Sequence, residues 1–158
     1  MVVKSIPVLL LALLASVAFA SPAVAQSREV AVVVNPANSI KGITLIELRK
    51  VFAGEKHSWP GGVAIRPIVR PPGCHERFVL LRLLGMSENE YKHYWTAQVF
   101  RGEAGSEPAT VPSVGMQKEA LAAFPGAISL VDAGDVKPGM KVVKIDGLLP
   151  GETGYPLR

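Results

Sequence analysis

The sequence predicts an α/β fold in which helices cover a mixed sheet. Apolar runs of strand length alternate along the chain with segments of helical period, and turn residues separate them. Two helix starts, at Thr44 and Ser87, also carry capping boxes, with a glutamate three residues after the hydroxyl residue. In folds of this class, ligands bind beyond the carboxyl ends of the strands, where strand-to-helix turns lie.

The first 25 residues are predicted to be a secretory signal peptide. Lys4 precedes an apolar run that extends through Phe19, and small residues follow it. The preferred cleavage site follows Ala23-Val24-Ala25, and the alternative follows Ala18-Phe19-Ala20. A retained membrane anchor is the rival interpretation, but the run is shorter than the ~20 apolar residues that span a bilayer. We therefore expect a periplasmic protein that does not span the membrane after cleavage.

Size and charge limit the classes of function. Removing 25 of the 158 residues leaves 133, which is enough for one domain with its own core. Loss of Lys4 lowers the formal charge from +4 to +3, and no run of basic residues is present, so nucleic acid is not an expected partner. Cys74 is the only cysteine, so stability must come from packing and not from an internal disulfide.

The first strand and the first helix have clear signals. Residues 29–34 form a near-continuous apolar run that predicts a buried strand, and the turn Asn35-Pro36-Ala37-Asn38 closes it. Thr44 then caps a helix that Gly54 ends. The predicted apolar face of this helix consists of Leu45, Leu48, Val51 and Phe52.

The middle of the chain predicts a loop, a strand and two helices. The loop covers residues 55–62, and the strand covers residues 63–69. The next helix spans residues 75–84, and Gly85 closes it. Ser87 caps another helix that extends toward Phe100. The side chains expected to face inward on these helices are Phe78, Leu81, Leu83, Leu84, Tyr91, Tyr94, Trp95 and Val99.

The last third of the chain has weaker signals. Residues 101–112 lack an apolar period and predict a surface loop. Ser113 can cap a helix through Phe124, and Pro125-Gly126 terminates it. Two short strands are expected at residues 127–131 and 141–145, and the remainder from Asp146 is expected to be a turn and a mobile tail.

The segment from Val69 to Phe78 is the main candidate site. It predicts a strand that ends in a glycine turn and opens directly into a helix. The first turn of a helix offers unpaired N–H groups and the positive end of the helix dipole, and Arg70 adds a full charge. This arrangement is typical of an anion site, although Cys74, His75 and Glu76 stand where a simple anion site carries small hydroxyl residues.

The motifs along the chain resemble those of the phosphate-type substrate-binding proteins of ABC transporters. The resemblance covers nearly the whole segment from residue 26 onward. The matching pieces are Asn35-Pro36, the helix pattern Leu45-x-x-Leu48-x-x-Val51-Phe52-Ala53-Gly54, Trp59-Pro60-x-Gly62, Arg70-x-x-Gly73 and Pro125-Gly126-Ala127-Ile128.

The resemblance implies a type 2 periplasmic binding fold, in which two α/β lobes close on an oxyanion. The matched stretch resembles a single lobe of such a protein. In the family, a turn of the form Arg-x-x-Gly-Ser-Gly-Thr supplies part of the anion site. Arg70 and Gly73 match that turn, whereas Cys74 replaces the first hydroxyl residue, His75 the glycine and Glu76 the threonine.

The resemblance implies a non-catalytic protein that binds a phosphate-like oxyanion and serves ABC transport or sensing. No cofactor or metal is expected. A carboxylate at Glu76 would repel a desolvated anion by several kcal/mol at close range, which favours weak binding or a site shared in a homodimer. The expected ligand-binding residues are Arg70, Gly73, Cys74 and His75, with Asn35 and Asn38 on a turn that faces them.

Two alternatives use other features of the chain. The first is an interaction module that contacts another envelope protein through a cleft surface made of the loops Gly54–Gly62 and Arg101–Pro112. The second is a redox or metal role for Cys74, whose thiol stands at a helix start between Arg70 and Arg77. Adjacent residues of a helix point about 100° apart, which disfavours one ion shared by Cys74 and His75. Enzyme activity is disfavoured because no nucleophile, base and orienting group are evident together.

Overall fold

A computed structural model describes residues 28–158 of the chain. The predicted signal peptide and its cleavage sites lie outside the described residues. No helix between residues 28 and 158 combines the length and the apolar character that a membrane crossing requires.

The described residues form seven strands and four α-helices, which follow one another in an α/β pattern. The strands are β1 (Val30–Val34), β2 (Gly42–Ile43), β3 (Arg66–Val69), β4 (Ala109–Thr110), β5 (Ala127–Asp132), β6 (Lys141–Val142) and β7 (Lys144–Ile145). The helices are α1 (Leu45–Phe52), α2 (His75–Leu84), α3 (Glu88–Phe100) and α4 (Val114–Ala123). A 3₁₀ turn at Ala133–Asp135 follows β5.

The main sheet is mixed, as expected. Its five strands lie in the order β4-β3-β5-β1-β6, and β2 pairs with β7 in a separate two-stranded sheet. β3 runs parallel to β4 and β5, whereas β1 runs antiparallel to β5 and β6. Val30 lies opposite Asp132, and Val34 lies opposite Ile128. The start of β1 therefore lies at the edge of the sheet where β3, β4 and β5 end.

Helices cover both faces of this sheet. Alternate residues of a strand point to opposite faces, so β1 contributes Val30 to the core under α1, α2 and α3, and Ala31 to the core under α4. All five residues of β1 are at most 1% exposed, which confirms the predicted buried strand. Burial of each valine side chain stabilises the fold by about 1.5–3 kcal/mol.

The helix predicted from Thr44 is confirmed with its capping box. The Thr44 hydroxyl accepts a bond from the Glu47 N–H at 3.1 Å, and the Glu47 carboxylate accepts one from the Thr44 N–H at 3.3 Å. Leu48 and Phe52 of this helix are buried. Gly54 follows with φ of +72°, and a Cβ there would lie 2.7 Å from Cη2 of Trp95. Only glycine fits this combination of backbone angle and close packing.

The strand predicted over residues 63–69 is shorter in the structure. β3 begins at Arg66, and Ala64 makes only an isolated bridge to Ser58. The residues before β3 instead form a tight turn, in which the Trp59 N–H donates to the Val63 carbonyl at 2.9 Å. This turn uses the backbone groups that a longer strand would need for its ladder.

The predicted inward face of α2 is wrong at Phe78, whose side chain is 60% exposed. Val79 and Leu80 are buried in its place, so the helix is rotated relative to the expectation. Arg82 lies over the outer face of Phe78, with its guanidinium carbon 5.5 Å from the ring centroid. On α3, Tyr91 and Trp95 are buried as predicted, whereas Val99 is exposed.

The prediction of a mobile tail is also wrong. Tyr155 and Leu157 are buried in the main core. The Tyr155 hydroxyl donates to the Val30 carbonyl at 2.8 Å, and the Val30 N–H donates to the Leu157 carbonyl at 3.0 Å. The tail is therefore held on β1 by hydrogen bonds and by apolar packing.

Candidate functional site

The carboxyl edge of the sheet brings together the turns that follow β3, β4 and β5. Because these strands are parallel, Val69, Thr110 and Asp132 end at the same edge. α2 begins after the first turn and packs on one face of the sheet, whereas α4 begins after the second and packs on the other. Two helices thus start at one edge on opposite faces, which is where ligands bind in folds of this class.

The start of α2 differs from the other helix starts. Thr44, Ser87 and Ser113 each accept a bond from a first-turn N–H of the helix that they cap. Cys74 occupies the same position before α2, but its side chain makes no capping bond to any described residue. The first-turn N–H groups of α2 are therefore left for another acceptor.

Gly73 shapes the approach to these N–H groups. Its φ is +89°, a conformation that favours glycine. A Cβ at Gly73 would meet no atom of the described chain within 4 Å, so the turn is open on that side. Cys74 is partly buried. The predicted strand, glycine turn and helix start of this segment are thus confirmed.

Arg70 lies at this turn with its side chain only 12% exposed. Its Nη1 donates to the Val111 carbonyl at 3.2 Å, which ties the turn after β3 to the turn after β4. Its Nε forms an ion pair with Oε1 of Glu76 at 3.7 Å, which is beyond hydrogen-bond distance, and it has no hydrogen-bond partner among residues 28–158. The buried carboxylate of Glu76 therefore acts as an internal counter-charge in the first turn of α2.

His75 turns toward the end of β5. Its Nδ1 lies 2.7 Å from Oδ1 of Asp132, and the other carboxylate oxygen of Asp132 binds Arg28. Asp132 is 5% exposed, so it links α2, β5 and the start of β1 in a buried position. In the described part of the chain, no three His, Cys, Asp or Glu side chains are grouped as metal ligands.

Arg77 does not face the anion position. Its Nε and Nη2 donate to the two carboxylate oxygens of Glu88 at 3.1 and 2.5 Å. Its guanidinium carbon lies 3.9 Å from the ring centroid of Tyr91. Burial favours a lower pKa of Arg77, but Glu88 and Tyr91 outweigh it and raise the pKa. Arg77 therefore joins α2 to α3 and leaves Arg70 as the arginine of the turn.

Asn35 and Asn38 lie at the opposite edge of the sheet, where β1 ends. The five-residue length of β1, about 13 Å, separates them from the candidate site. Asn35 Nδ2 donates to the Leu121 carbonyl at 2.7 Å, which anchors the end of α4. Asn38 Oδ1 accepts from the Ile40 N–H at 3.0 Å. The expectation that their turn faces Arg70 is therefore not met.

The two loops named in the interaction hypothesis line one cleft, at the amino ends of β3 and β4. We call it the loop cleft. Its volume is about 340 Å³, and the lining includes Lys56, His57, Arg66, Trp95, Glu103 and Glu107. The structure places residues 54–57 and 103–108 together at this cleft. His57 is an exposed loop residue, and His93 is exposed on α3.

A wider groove of about 770 Å³ borders the candidate site on the α4 side of the sheet. Its lining includes the charged residues Arg28 and Glu29 and the apolar residues Ala31, Val136 and Val142. None of the six predicted site residues lines this groove. Its contact with the candidate site is through Arg28, which binds Asp132.

Neither a family model nor a curated protein matches the sequence. Solved structures do match. An ABC-type phosphate transport receptor from Vibrio cholerae is 19% identical with a TM-score of 0.63, over 78% of this chain and 48% of the receptor. A substrate-binding protein assigned to phosphate ABC transport from Clostridium perfringens, solved with phosphate bound, is 18% identical with a TM-score of 0.62, over 77% of this chain and 46% of that protein.

A third similar structure is PstS from Borrelia burgdorferi, 17% identical with a TM-score of 0.58, over 78% of this chain and 49% of that protein. At these identities the similarity shows the fold. The chain spans about half the length of each of these proteins. The chain therefore has the fold of the phosphate-type periplasmic substrate-binding proteins, to the extent of a single lobe.

Proposed function

We propose that this protein is a non-catalytic binding protein that recognises a small phosphate-like oxyanion at the start of α2. The observation that carries the proposal is the uncapped first turn of α2 beside Arg70. Cys74 makes no capping bond to the described residues, and Arg70 Nε has no hydrogen-bond partner there. An anion at this position would accept hydrogen bonds from the first-turn N–H groups of α2 and from Nε of Arg70.

The proposed ligand-binding residues are Arg70, Gly73, Cys74 and His75. Arg70 supplies charge, and Gly73 leaves space for the anion to reach the backbone N–H groups. Cys74 and His75 contribute mainly their position at the helix start, because the His75 ring nitrogen Nδ1 is engaged by Asp132. Asn35 and Asn38 are not part of this site.

Binding by one chain is expected to be weak. Glu76 places a carboxylate near Arg70, and an incoming anion must overcome this charge. A single lobe also offers one wall of a site that two-lobed proteins enclose, so water has access to the bound anion. We expect dissociation constants in the millimolar range, which correspond to about −4 kcal/mol.

The cellular role that we propose is recognition for ABC transport or sensing in the periplasm. The similar structures support this role, because they are receptors and substrate-binding proteins of phosphate transport. The signal peptide predicted for residues 1–25 agrees with it. A transporter or another envelope protein is the proposed macromolecular partner. A second copy of the chain is the proposed source of further donors.

Thermal unfolding with phosphate or sulfate at about 10 mM and constant ionic strength tests the site. A ligand at ten times its dissociation constant stabilises the folded protein by about 1.4 kcal/mol, which is a measurable rise in Tm. We expect Arg70→Ala to abolish the rise. Arg82→Ala, which removes the same charge at the exposed far end of α2, should retain it. An unchanged Tm for the natural sequence would refute the proposal.

A further inference from the structure

The fixed charges at the start of α2 are paired within the chain. Arg70 forms an ion pair with Glu76, and Arg28 forms another with Asp132. Each pair joins one positive and one negative side chain, so the two pairs together carry no net charge. The side chains of Arg70, Glu76 and Asp132 are at most 12% exposed. An oxyanion that approaches this turn therefore meets fixed charges that cancel.

His75 adds an ionisable ring to these two ion pairs. Its Nδ1 lies 2.7 Å from Oδ1 of Asp132. A carboxylate oxygen only accepts hydrogen bonds, so Nδ1 carries a hydrogen and Nε2 is the nitrogen that gains or loses a proton. No residue between 28 and 158 forms a hydrogen bond with Nε2, and the side chain is 25% exposed. Solvent can therefore supply the proton.

The charge of His75 decides the net charge of this cluster. Arg28 already binds the other carboxylate oxygen of Asp132, so a proton on His75 raises the sum of the charges from zero to plus one. His75 is also the first residue of α2. A cation there meets the positive end of the helix dipole, which is unfavourable, and an anion bound at the same helix start would relieve this repulsion.

The neighbouring elements bring no other group that titrates in the same range. Asp135 follows β5 and makes no bond to His75, and residues 111–113 after β4 include no ionisable side chain. Cys74 precedes His75, but thiols of model peptides titrate near ~8.5 and carboxyl groups near ~4, whereas histidine changes its charge between about pH 5 and 8. The other charges near the cluster are paired with each other: Arg77 with Glu88, and Glu29 with Arg158.

We propose, on the basis of the proposed function, that His75 sets the net charge of the oxyanion site. With His75 protonated, the cluster holds one uncompensated positive charge, and the helix start binds a dianionic oxyanion more tightly. With His75 neutral, the same turn binds the dianion more weakly. The ring acts through its charge, and Asp132 holds it at the helix start. The affinity of the site therefore rises as the pH falls through the histidine range.

Titration of the protein with sulfate between about pH 5.5 and 7.5, at constant ionic strength, tests this proposal. Sulfate stays a dianion over this range, whereas phosphate changes its charge, so a change in sulfate affinity comes from the protein. We expect sulfate to bind about three- to tenfold more tightly at the lower pH, because one unit charge acts on a dianion within a Debye length of about 10 Å. Equal affinity at both pH values would overturn the role of His75 and leave the proposed function intact. Absence of binding at every pH would refute both.

Variants of the three histidines assign the effect. His75→Asn removes the titration and keeps an amide nitrogen that can donate to Asp132, so we expect the weaker affinity at both pH values. His75→Lys is positive over the whole range and should give the tighter affinity at both. His57→Asn and His93→Asn make the matched change at exposed positions and should keep the pH dependence of the natural sequence. Full pH dependence in His75→Asn would overturn the proposal.

The natural sequence also allows a reciprocal measurement that needs no stable variant. By linkage, sulfate favours the protonated form of His75 to the same extent that the proton favours sulfate binding. In an NMR titration of the histidine rings, added sulfate should therefore move the midpoint of His75 to higher pH. The midpoints of His57 and His93 should stay where they are. A His75 midpoint that bound sulfate does not move would contradict the proposal.

Discussion

Glu76 holds its carboxylate 3.7 Å from Nε of Arg70, and both side chains are largely buried at the start of α2. The helix dipole favours a negative charge in this turn, and Arg70 favours it further. Glu76 therefore occupies the electrostatic environment that would otherwise attract an external anion. This relationship makes the charge of Glu76 the main determinant of anion affinity at the proposed site.

We predict that Glu76→Gln strengthens phosphate binding about tenfold, because it removes the nearest negative charge and keeps the size of the side chain. The measurement is a titration with phosphate at constant ionic strength. Glu119→Gln removes a charge of the same sign on exposed α4 and should not alter the affinity. Equal affinities of Glu76→Gln and the natural sequence would show that Glu76 does not oppose binding.

Replacement of Asp132 should destabilise the fold. Its buried carboxylate binds both His75 and Arg28, so Asp132→Asn removes charge-assisted bonds that join three segments. We expect the free energy of unfolding in urea to fall by about 1–3 kcal/mol. The Asp135 carboxylate, three residues later, makes no such bond within residues 28–158, so Asp135→Asn should change stability by less than about 0.5 kcal/mol. Similar losses in the two variants would contradict this role of Asp132.

A hydroxyl at position 74 should cap α2. Cys74→Ser restores the type of side chain that caps the other three helices, and we expect it to stabilise the protein by about 0.5–1 kcal/mol. Ser87→Ala provides the converse change at α3 and should destabilise the protein by about 1 kcal/mol. Both values can be measured by urea unfolding. A loss of stability in Cys74→Ser would show that the packing of the thiol stabilises the fold more than a capping hydrogen bond from a hydroxyl would.

The rotation of α2 can be tested by two truncations. Leu80→Ala should lower the free energy of unfolding by about 2–5 kcal/mol, because Leu80 is buried in the core. Phe78→Ala should cost less than about 1 kcal/mol, because the ring is largely exposed and contacts Arg82. Urea unfolding of both variants decides the face. A larger loss of stability for Phe78→Ala than for Leu80→Ala would show that Phe78 faces the core, as the sequence predicts.

Alkaline pH should weaken the fold through Tyr155. Burial, the largest cause, raises the pKa of Tyr155 well above its ordinary value, and the charge of Glu29 adds to this increase. The unfolded chain then loses the phenolic proton first, so the free energy of unfolding falls as the pH rises above about 10. Urea unfolding between about pH 8 and 11 measures this slope. Tyr155→Phe should flatten it, and an unchanged slope in this variant would assign the loss to other groups.

Local signals in the sequence predicted several elements correctly. The capping boxes at Thr44 and Ser87 predicted the starts of α1 and α3, because a cap involves residues only three positions apart. The apolar run before Asn35 predicted a buried strand because every side chain of a central strand is covered. The strand, glycine turn and helix around Gly73 were also predicted correctly, because their signals lie in residues that are neighbours in the chain.

Other features depended on contacts between distant residues. In α2, Phe78, Val79, Leu80 and Leu81 are consecutive and apolar, so the helical period could not select the buried face. Contacts with β5 and α1 selected it. Tyr155 showed no local sign of order, and its bond to Val30 spans 125 positions.

The candidate site shows the same division. The sequence by itself determined the α/β class, the capped helices and the turn that places Arg70 and Gly73 before a helix, since these follow from neighbours along the chain. Only the tertiary structure decided that Asp132 binds His75 and that Asn35 lies at the other edge. Strand order and direction set these distances, and they arise from the packing of the whole sheet.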